Sequence, residues 1–348
     1  MTLYTFEYIW LDSNTNPRSK TKVMKLDLKP SNVSKLPVWN YDGSSTGQAV
    51  TEKSEVEIRP VKMIRDPFRA NDTSYLVLCE TYNIDGTPHR DNTRSQAVTI
   101  FNMNSEHKEP MFGLEQEFFI SRQIVGGLVP VAFPDNQNVP RPQGDYYCGV
   151  GGGNIYGRKY VEEILNKLVL CNLPITGMNA EVAPGQWEFQ VCSTGVDAAD
   201  SLILLRYIVN RVLEKDFLQM DITAKPITGD WNGSGCHINY STDLMRNDGG
   251  YKYIESALKN LEPAHALHIK HYGDDNSLRL TGLHETSSMD KFSYSVGGRN
   301  TSIRIPYATH ETKRGYFEDR RPSSSLDPYK STALLHATSV GLNQDFWK

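Results

Sequence analysis

Cysteine is scarce in this chain, and the few that occur are scattered. Cys79, Cys148, Cys171, Cys192 and Cys236 are odd in number and lack Cys-x-x-Cys spacing, which excludes a disulfide framework or a thiolate zinc site and suits a reducing compartment. They read as small buried residues. Long apolar runs are also missing: the most apolar helical stretch, residues 202–213, is interrupted by Arg206, Asn210 and Arg211 and is too short to cross a bilayer. No basic run offsets the net charge of -4, so bulk charge recruits neither nucleic acid nor an anionic membrane. Residues 1–12 alternate like a strand and carry no targeting leader, which makes the cytoplasm the expected location. The glycine-rich run 149–154 lacks the Lys-Ser/Thr of a phosphate-binding loop and reads as a turn.

What is present is a chain of 348 residues, 39% hydrophobic and 22% charged, long enough for two globular domains. Residues 3–11 and 20–28 read as a hairpin, 56–59 and 75–82 as further strands, and the turn 83–88 closes a β-rich unit. This predicts a boundary between Thr81 and Arg94, with domains over 1–85 and 86–348. Between those strands, 39–47 reads as a polar loop. Helices are expected over 92–107, 158–171, 198–215 (capped by Asp197), 251–260, 263–271 and 328–340. A long loop rich in Pro, Gly and Asn, 123–148, is expected to line a site. Strands and helices mix without regular alternation, so the class is α+β.

The chemistry begins at 113–120. Alternate residues of a strand share a face, so Glu115 and Glu117 project together while Leu114 and Phe118 point the other way. A solvated strand edge would carry such a pair harmlessly, but three more segments repeat the pattern. Glu188 and Gln190 oppose Trp187, Phe189 and Val191, with Glu181 seven residues earlier; His237, Asn239 and Ser241 share a face; Glu318 lies between Tyr316 and Arg320. A curved sheet with its polar side inward would gather these carboxylates and one imidazole into one cavity. Oxygen-rich ligation with a single His favours Mg²⁺ or Mn²⁺ over zinc or copper. Arg279, Arg299, Arg304, Arg320 and Arg321 are dense downstream, and Arg304, between Ile303 and Ile305, would face the same interior. Metals with inward guanidinium groups suggest a phosphate ester and a carboxylate brought together for phosphoryl transfer.

The stretches 39–46, 112–118, 143–149, 179–190, 231–237, 279–286, 302–306 and 315–322, in this order, resemble glutamine synthetase of the eukaryotic type over nearly the whole chain. The resemblance implies an N-terminal β-grasp domain, a catalytic domain with a curved antiparallel sheet flanked by helices, and a homo-oligomer of two stacked pentameric rings with sites between subunits. It implies ATP-dependent joining of ammonium to the γ-carboxylate of L-glutamate through γ-glutamyl phosphate. By position, Glu117, Glu181 and Glu188 would hold one metal and Glu115, His237 and Glu318 another near the nucleotide phosphates. Arg299 and Arg304 would meet phosphoryl groups; Arg279 and Arg320 with Trp231, Asn232 and Gly233 would fix glutamate. Asn239, Ser241, Arg246 and Tyr316 fall where the family binds ATP. Asp42 of an adjacent subunit would be the base, and Ser45, Tyr147, Glu188 and Glu285 would complete a pocket for ammonium, with Glu285 on a closing flap. Met111, Asp145, Gly185 and Tyr307 depart from the family's usual Trp, Pro, Ala and Arg.

Overall fold

Period-two alternation along the chain builds two sheets. The computed structural model describes residues 1–69, 71–103, 106–133 and 140–344. In the first sheet β1 (Thr2–Leu11) and β2 (Pro17–Leu26) form the expected hairpin. With β3 (Trp39–Asp42), β4 (Glu55–Arg65) and β5 (Ser74–Tyr82), the order is β2-β1-β5-β4-β3, with β1 parallel to β5. Tyr4, Phe6, Tyr8 and Trp10 bury one face of β1 in a core with Tyr41, Val56 and Ile58. From the opposite face Ile9, with Leu76 and Leu78, joins the larger core of the following residues. Buried Glu7 ties the units together by accepting from Tyr207 and pairing with Arg69 (2.8 Å) and Arg211 (2.7 Å). Burial raises the pKa of its carboxyl, but these donors outweigh it and hold the group below its usual value.

The second sheet centres on β6 (Met111–Ile124), with β7 (Gly127–Pro130), β8 (Ile175–Ala180), β9 (Gln186–Thr194), β10 (Leu218–Asp221), β11 (Cys236–Ser241), β12 (Tyr294–Val296), β13 (Ile303–Ile305) and β14 (Phe317–Asp319). Its main order is β12-β13-β14-β11-β6-β9-β8, while β7 and β10 pair with the far end of β6. All pairs are antiparallel except β12 with β13. The helices are α1 (Thr93–Phe101), α2 (Arg158–Leu170), α3 (Val196–Leu213), α4 (Asp243–Arg246), α5 (Tyr251–Leu261), α6 (His265–His271), α7 (Tyr307–Thr312) and α8 (Pro328–Ser339). Leu114, Phe118, Val191, Ile238 and Ile303 turn their apolar face towards a core shared with α3 and α8. The class is α+β, as expected, and no helix among the described residues is long and apolar enough to cross a membrane.

Several local expectations give way. Residues 39–42 form β3, because main-chain pairing with β4 decides the conformation of a polar stretch. The span 123–148 is not one loop: β6 runs to Ile124 and turns into β7. Part of that span, 134–139, and residues 104–105 of the helix expected over 92–107, lie outside the described residues. Asp197 does not cap α3; Gly195 holds that position, and Asp197 accepts from Lys62 Nζ (2.5 Å) and Ser193 Oγ (2.6 Å). Cys79, Cys171 and Cys236 are buried, but Cys148 is exposed and Cys192 half-buried.

Candidate active site

The inter-strand register converts separate alternations into one surface. Glu115 lies opposite His237 on β11, and Glu117 opposite Glu188 on β9. Asn239 lies opposite Glu318, which in turn lies opposite Arg304 on β13. Opposed residues share a face, so five neighbouring strands aim their polar side chains into one funnel of about 230 Å³. Fourteen of the expected site residues line it: Tyr147, Asn232, Gly233, Arg279, Glu285, Arg299, Arg304 and Arg320 beside the six acid and imidazole groups.

Those six form two triads, Glu115/His237/Glu318 and Glu117/Glu181/Glu188, and within each triad one ligand-capable atom per residue lies within 4.8 Å of the others. The electrostatics of the second triad are those of anions short of counter-charge. Burial, and then repulsion from Glu117, pushes Glu181 up to about 8; burial, and then repulsion from Glu115, Glu117 and Glu181, pushes Glu188 up to about 9. Glu117 rises to about 6 through burial, moderated by Arg279 and by the Gly235 N–H, which donates to its Oε2 at 2.7 Å. Part of Glu117 is reached through the funnel mouth, yet protein encloses it, so its charge is poorly hydrated.

In the first triad Glu318 is 1% exposed. It pairs with Arg320 Nη1 at 2.6 Å and Arg304 Nε at 2.5 Å. The Arg304 contact is an ion pair without a hydrogen bond, so buried Glu318 Oε2 has no hydrogen-bond donor. Burial, then the charge of Arg320, holds His237 well below its usual pKa, so its ring is neutral. Its Nε2 accepts from Arg279 Nη2 at 3.0 Å, and Nδ1 faces Glu115 Oε2 (3.4 Å) and Glu318 Oε1 (3.5 Å). Gly235 makes this approach possible: a β-carbon there would come within 2.5 Å of Arg279 Nη2 and 2.9 Å of His237 Nε2. Two triads of oxygen donors with one neutral imidazole, and a buried carboxylate oxygen that is ion-paired but not hydrogen-bonded, fit divalent cations of the Mg²⁺ or Mn²⁺ kind.

Seven of the residues expected at the site, Asp42, Ser45, Trp231, Asn239, Ser241, Arg246 and Tyr316, do not line the funnel within this chain, and neither does Arg321. Asn239, although half-buried, donates to Glu115 Oε1 at 2.7 Å. Arg246 donates to Ser241 Oγ (3.0 Å) and to the Glu109 carbonyl, beside Ser241 at the end of β11. Tyr316 stands 40% exposed next to β14. Trp231 packs edge-on against Phe133. Asp42 ends β3 of the first sheet and Ser45 lies in the helical turn that follows it. Asp42 accepts from Ser44 N–H (3.0 Å) and from the hydroxyls of Ser44 (2.6 Å) and Ser45 (2.8 Å), which hold its carboxyl below the usual range. Arg321, grouped with the inward arginines, instead lies fully buried against Asp319 at 2.6 Å.

Four lining residues lay outside the expected site: Asn179, Gln190, His284 and Thr286. Gln190 was visible as the partner of Glu188 in alternation, and Asn179 donates to Glu181 Oε1 at 2.8 Å. His284 and Thr286 come from an irregular loop with no periodicity to mark them.

Residues 91–259 match the family model described as glutamine synthetase, catalytic domain. The chain is 48% identical to the glutamine synthetase of Tuber borchii, over 96% of this chain and 92% of that protein. Those of Saccharomyces cerevisiae and Neurospora crassa are each 45% identical over 96% of this chain, covering 89% and 91% of theirs.

Proposed function

This chain belongs to the glutamine synthetase family, and from that premise we propose how its residues form glutamine from glutamate and ammonium with cleavage of ATP. The observation that carries the reading is the convergence of two ligand triads and four arginines in one funnel. The family uses ATP and a divalent metal. Here Glu117, Glu181 and Glu188 would hold one Mg²⁺ or Mn²⁺ and Glu115, His237 and Glu318 another. A bound cation screens phosphoryl charge and acts as a Lewis acid.

A carboxylate is a poor electrophile, and repulsion keeps it from a polyphosphate. Arg279 and Arg320, with the Trp231–Asn232–Gly233 segment, hold glutamate; Arg299 and Arg304 neutralise the transferring phosphoryl group. The γ-carboxylate oxygen attacks the terminal phosphorus and ADP leaves. Asn239, Ser241, Arg246 and Tyr316 face the nucleotide. Ammonium collects between Tyr147, Glu188, Glu285 and, from a second copy of the chain, Asp42 and Ser45. Asp42, kept ionised by its serine hydroxyls, takes the proton; ammonia then attacks the γ-carbonyl carbon, the bond from that carbon to the phosphate oxygen breaks, and phosphate leaves carrying the second proton that the nitrogen gives up. The site is completed between subunits, in an assembly we read as two stacked pentameric rings, in the cytoplasm. The first sheet is read as a β-grasp domain over 1–85, and residues 86–348 as the catalytic domain.

The test is ADP release with Mg²⁺, which must require both glutamate and ammonium. Full ADP release with glutamate left out would refute the reading. With hydroxylamine in place of ammonium, γ-glutamyl hydroxamate should form with the parent protein and be lost in Glu115→Ala.

A further inference from the structure

The loop 281–288 is pinched at its neck, where Thr281 bridges Ser288 and the Met289 N–H donates to the Leu280 carbonyl at 3.1 Å. Inside it, His284 (φ +52°) and Glu285 (φ +60°) are consecutive non-glycine residues in the left-handed region. Side chains with a β-carbon occupy that region when surrounding contacts over-determine it. Two of the contacts come from the funnel: Arg299 Nη1 donates to Glu285 Oε2 (3.2 Å) and Arg320 Nη2 to the Glu285 carbonyl (3.4 Å). A third comes from outside. Gln143, which does not line the cavity, accepts the Asn232 N–H on Oε1 at 2.6 Å and donates through Nε2 to His284 Nδ1 at 2.8 Å.

Each end of the Gln143 amide is committed, since the Asn232 N–H requires an acceptor, so the amide has one orientation. His284 therefore accepts on Nδ1 and carries its hydrogen on Nε2, 3.3 Å from Asp230 Oδ1. The chain of contacts Asp230, His284, Gln143, Asn232 closes a circuit between the loop and segment 230–233. Asn232 and His284 face the funnel from opposite strokes of that circuit.

The two groups of contacts have different fates. Arg299 and Arg320 are the groups that the proposed function assigns to anionic substrates; once they turn to a phosphoryl group or a carboxylate, their hold on Glu285 weakens. Gln143 contacts no substrate group and keeps its hold. Resting on that reading, we propose that Gln143 is a positioning residue, a latch that keeps His284 and Glu285 over the funnel while the acyl phosphate exists, so that ammonia and not water reaches it. Without the latch, water adds to the γ-carbonyl carbon, the bond from that carbon to the phosphate oxygen breaks and phosphate departs. Glutamate is regenerated, and each turn converts ATP and water into ADP and phosphate.

The experiment uses the full chain with Mg²⁺, ATP, glutamate and saturating ammonium, and measures moles of ADP per mole of glutamine. The parent gives a ratio near one. Losing the one hydrogen bond of ordinary strength that ties Gln143 to the loop raises the loop's open fraction by roughly five- to tenfold; Gln143→Leu should accordingly raise the ratio severalfold and increase glutamate-dependent ADP release without ammonium. The KM for ATP should stay within about twofold, because the latch touches no nucleotide contact. His284→Asn, a residue type that tolerates left-handed backbone, should act alike, and the double variant should be no more uncoupled than the worse single one. If Gln143→Leu fails to fold, His284→Asn alone decides. A slower variant whose ratio stays near one shows a merely structural role and overturns the proposal. A parent protein that makes no glutamine would instead overturn the function on which it rests.

Discussion

Cation uptake by the triad Glu117, Glu181 and Glu188 should release protons in a number the structure fixes. At pH 7 a carboxyl raised to about 9 is ~99% protonated, one at about 8 is ~90% and one at about 6 is ~10%, so the metal-free triad carries about two protons. A cation takes only ionised oxygens, so both protons leave on binding, while His237, already neutral, adds none. Calorimetric titration with Mn²⁺ at pH 7, in buffers of different ionisation enthalpy, reads this number as the slope of observed heat against buffer enthalpy. Affinity should climb by about two decades per pH unit towards pH 8 and level off above 9. The same shifts act on stability with a definite sign. Folded-state carboxyl values above the unfolded ones mean that the native state binds more protons, so the metal-free protein loses stability as pH rises from about 4.5 through 9. Saturating Mn²⁺ removes that loss. A slope near zero at pH 7 refutes the reasoning, since it means that the three acids already stand ionised and that their burial is compensated by something other than protonation.

Glu188→Gln mimics the protonated group, so the metal-free Tm at pH 7 should stay within about 2 °C, whereas Mn²⁺ affinity should fall about 100-fold; a large drop in Tm argues that Glu188 is ionised in the resting protein. Arg206 is buried in α3 and donates to Gln116 Oε1 (2.8 Å) and the carbonyls of Leu326 (3.0 Å) and Ser324 (2.9 Å). Arg206→Met orphans Gln116 Oε1 and the Leu326 carbonyl, while the Ser324 carbonyl keeps only Gln116 Nε2 (3.1 Å), and it should cost about 3–5 kcal/mol in urea unfolding; a loss under 1 kcal/mol contradicts the network. Asp42→Ala and Glu188→Ala should each be inactive alone. Mixed after dissociation and reassembly, they should regain roughly a quarter of parental activity if Asp42 serves a neighbouring subunit's funnel, and none if both act within one chain.

The acids at the site could be read from the sequence because a strand repeats every two residues, so Glu115 with Glu117, His237 with Asn239, and Arg304 between two isoleucines each announce a polar face. The register that makes Glu117 meet Glu188 and Arg304 meet Glu318 cannot be read there; it is set by how strands distant in the chain dock. Where pairing overrode composition, the reading stopped short. β4 runs past Pro60 through a register shift between Pro60 and Lys62, although proline reads as a strand end. Asp197 looked like a helix cap because its partner, Lys62, lies 135 residues away. Arg206 read as an interruption of an apolar helix, and its purpose appears only when Gln116, hidden between the two glutamates on the opposite face of β6, comes to meet it.

Glu115 and Glu117 belong to different triads yet stand two residues apart on one strand. Two steps of a strand span roughly 7 Å, so the main chain itself works as a ruler between the centres. Adjusting that separation by insertion is closed to the protein, because one extra residue would throw one of the two glutamates into the core. Tuning is left to side-chain length: Glu→Asp at either position retracts one ligand by about one methylene while its neighbour stays still, which gives each centre an independent adjustment on a common, immovable scale.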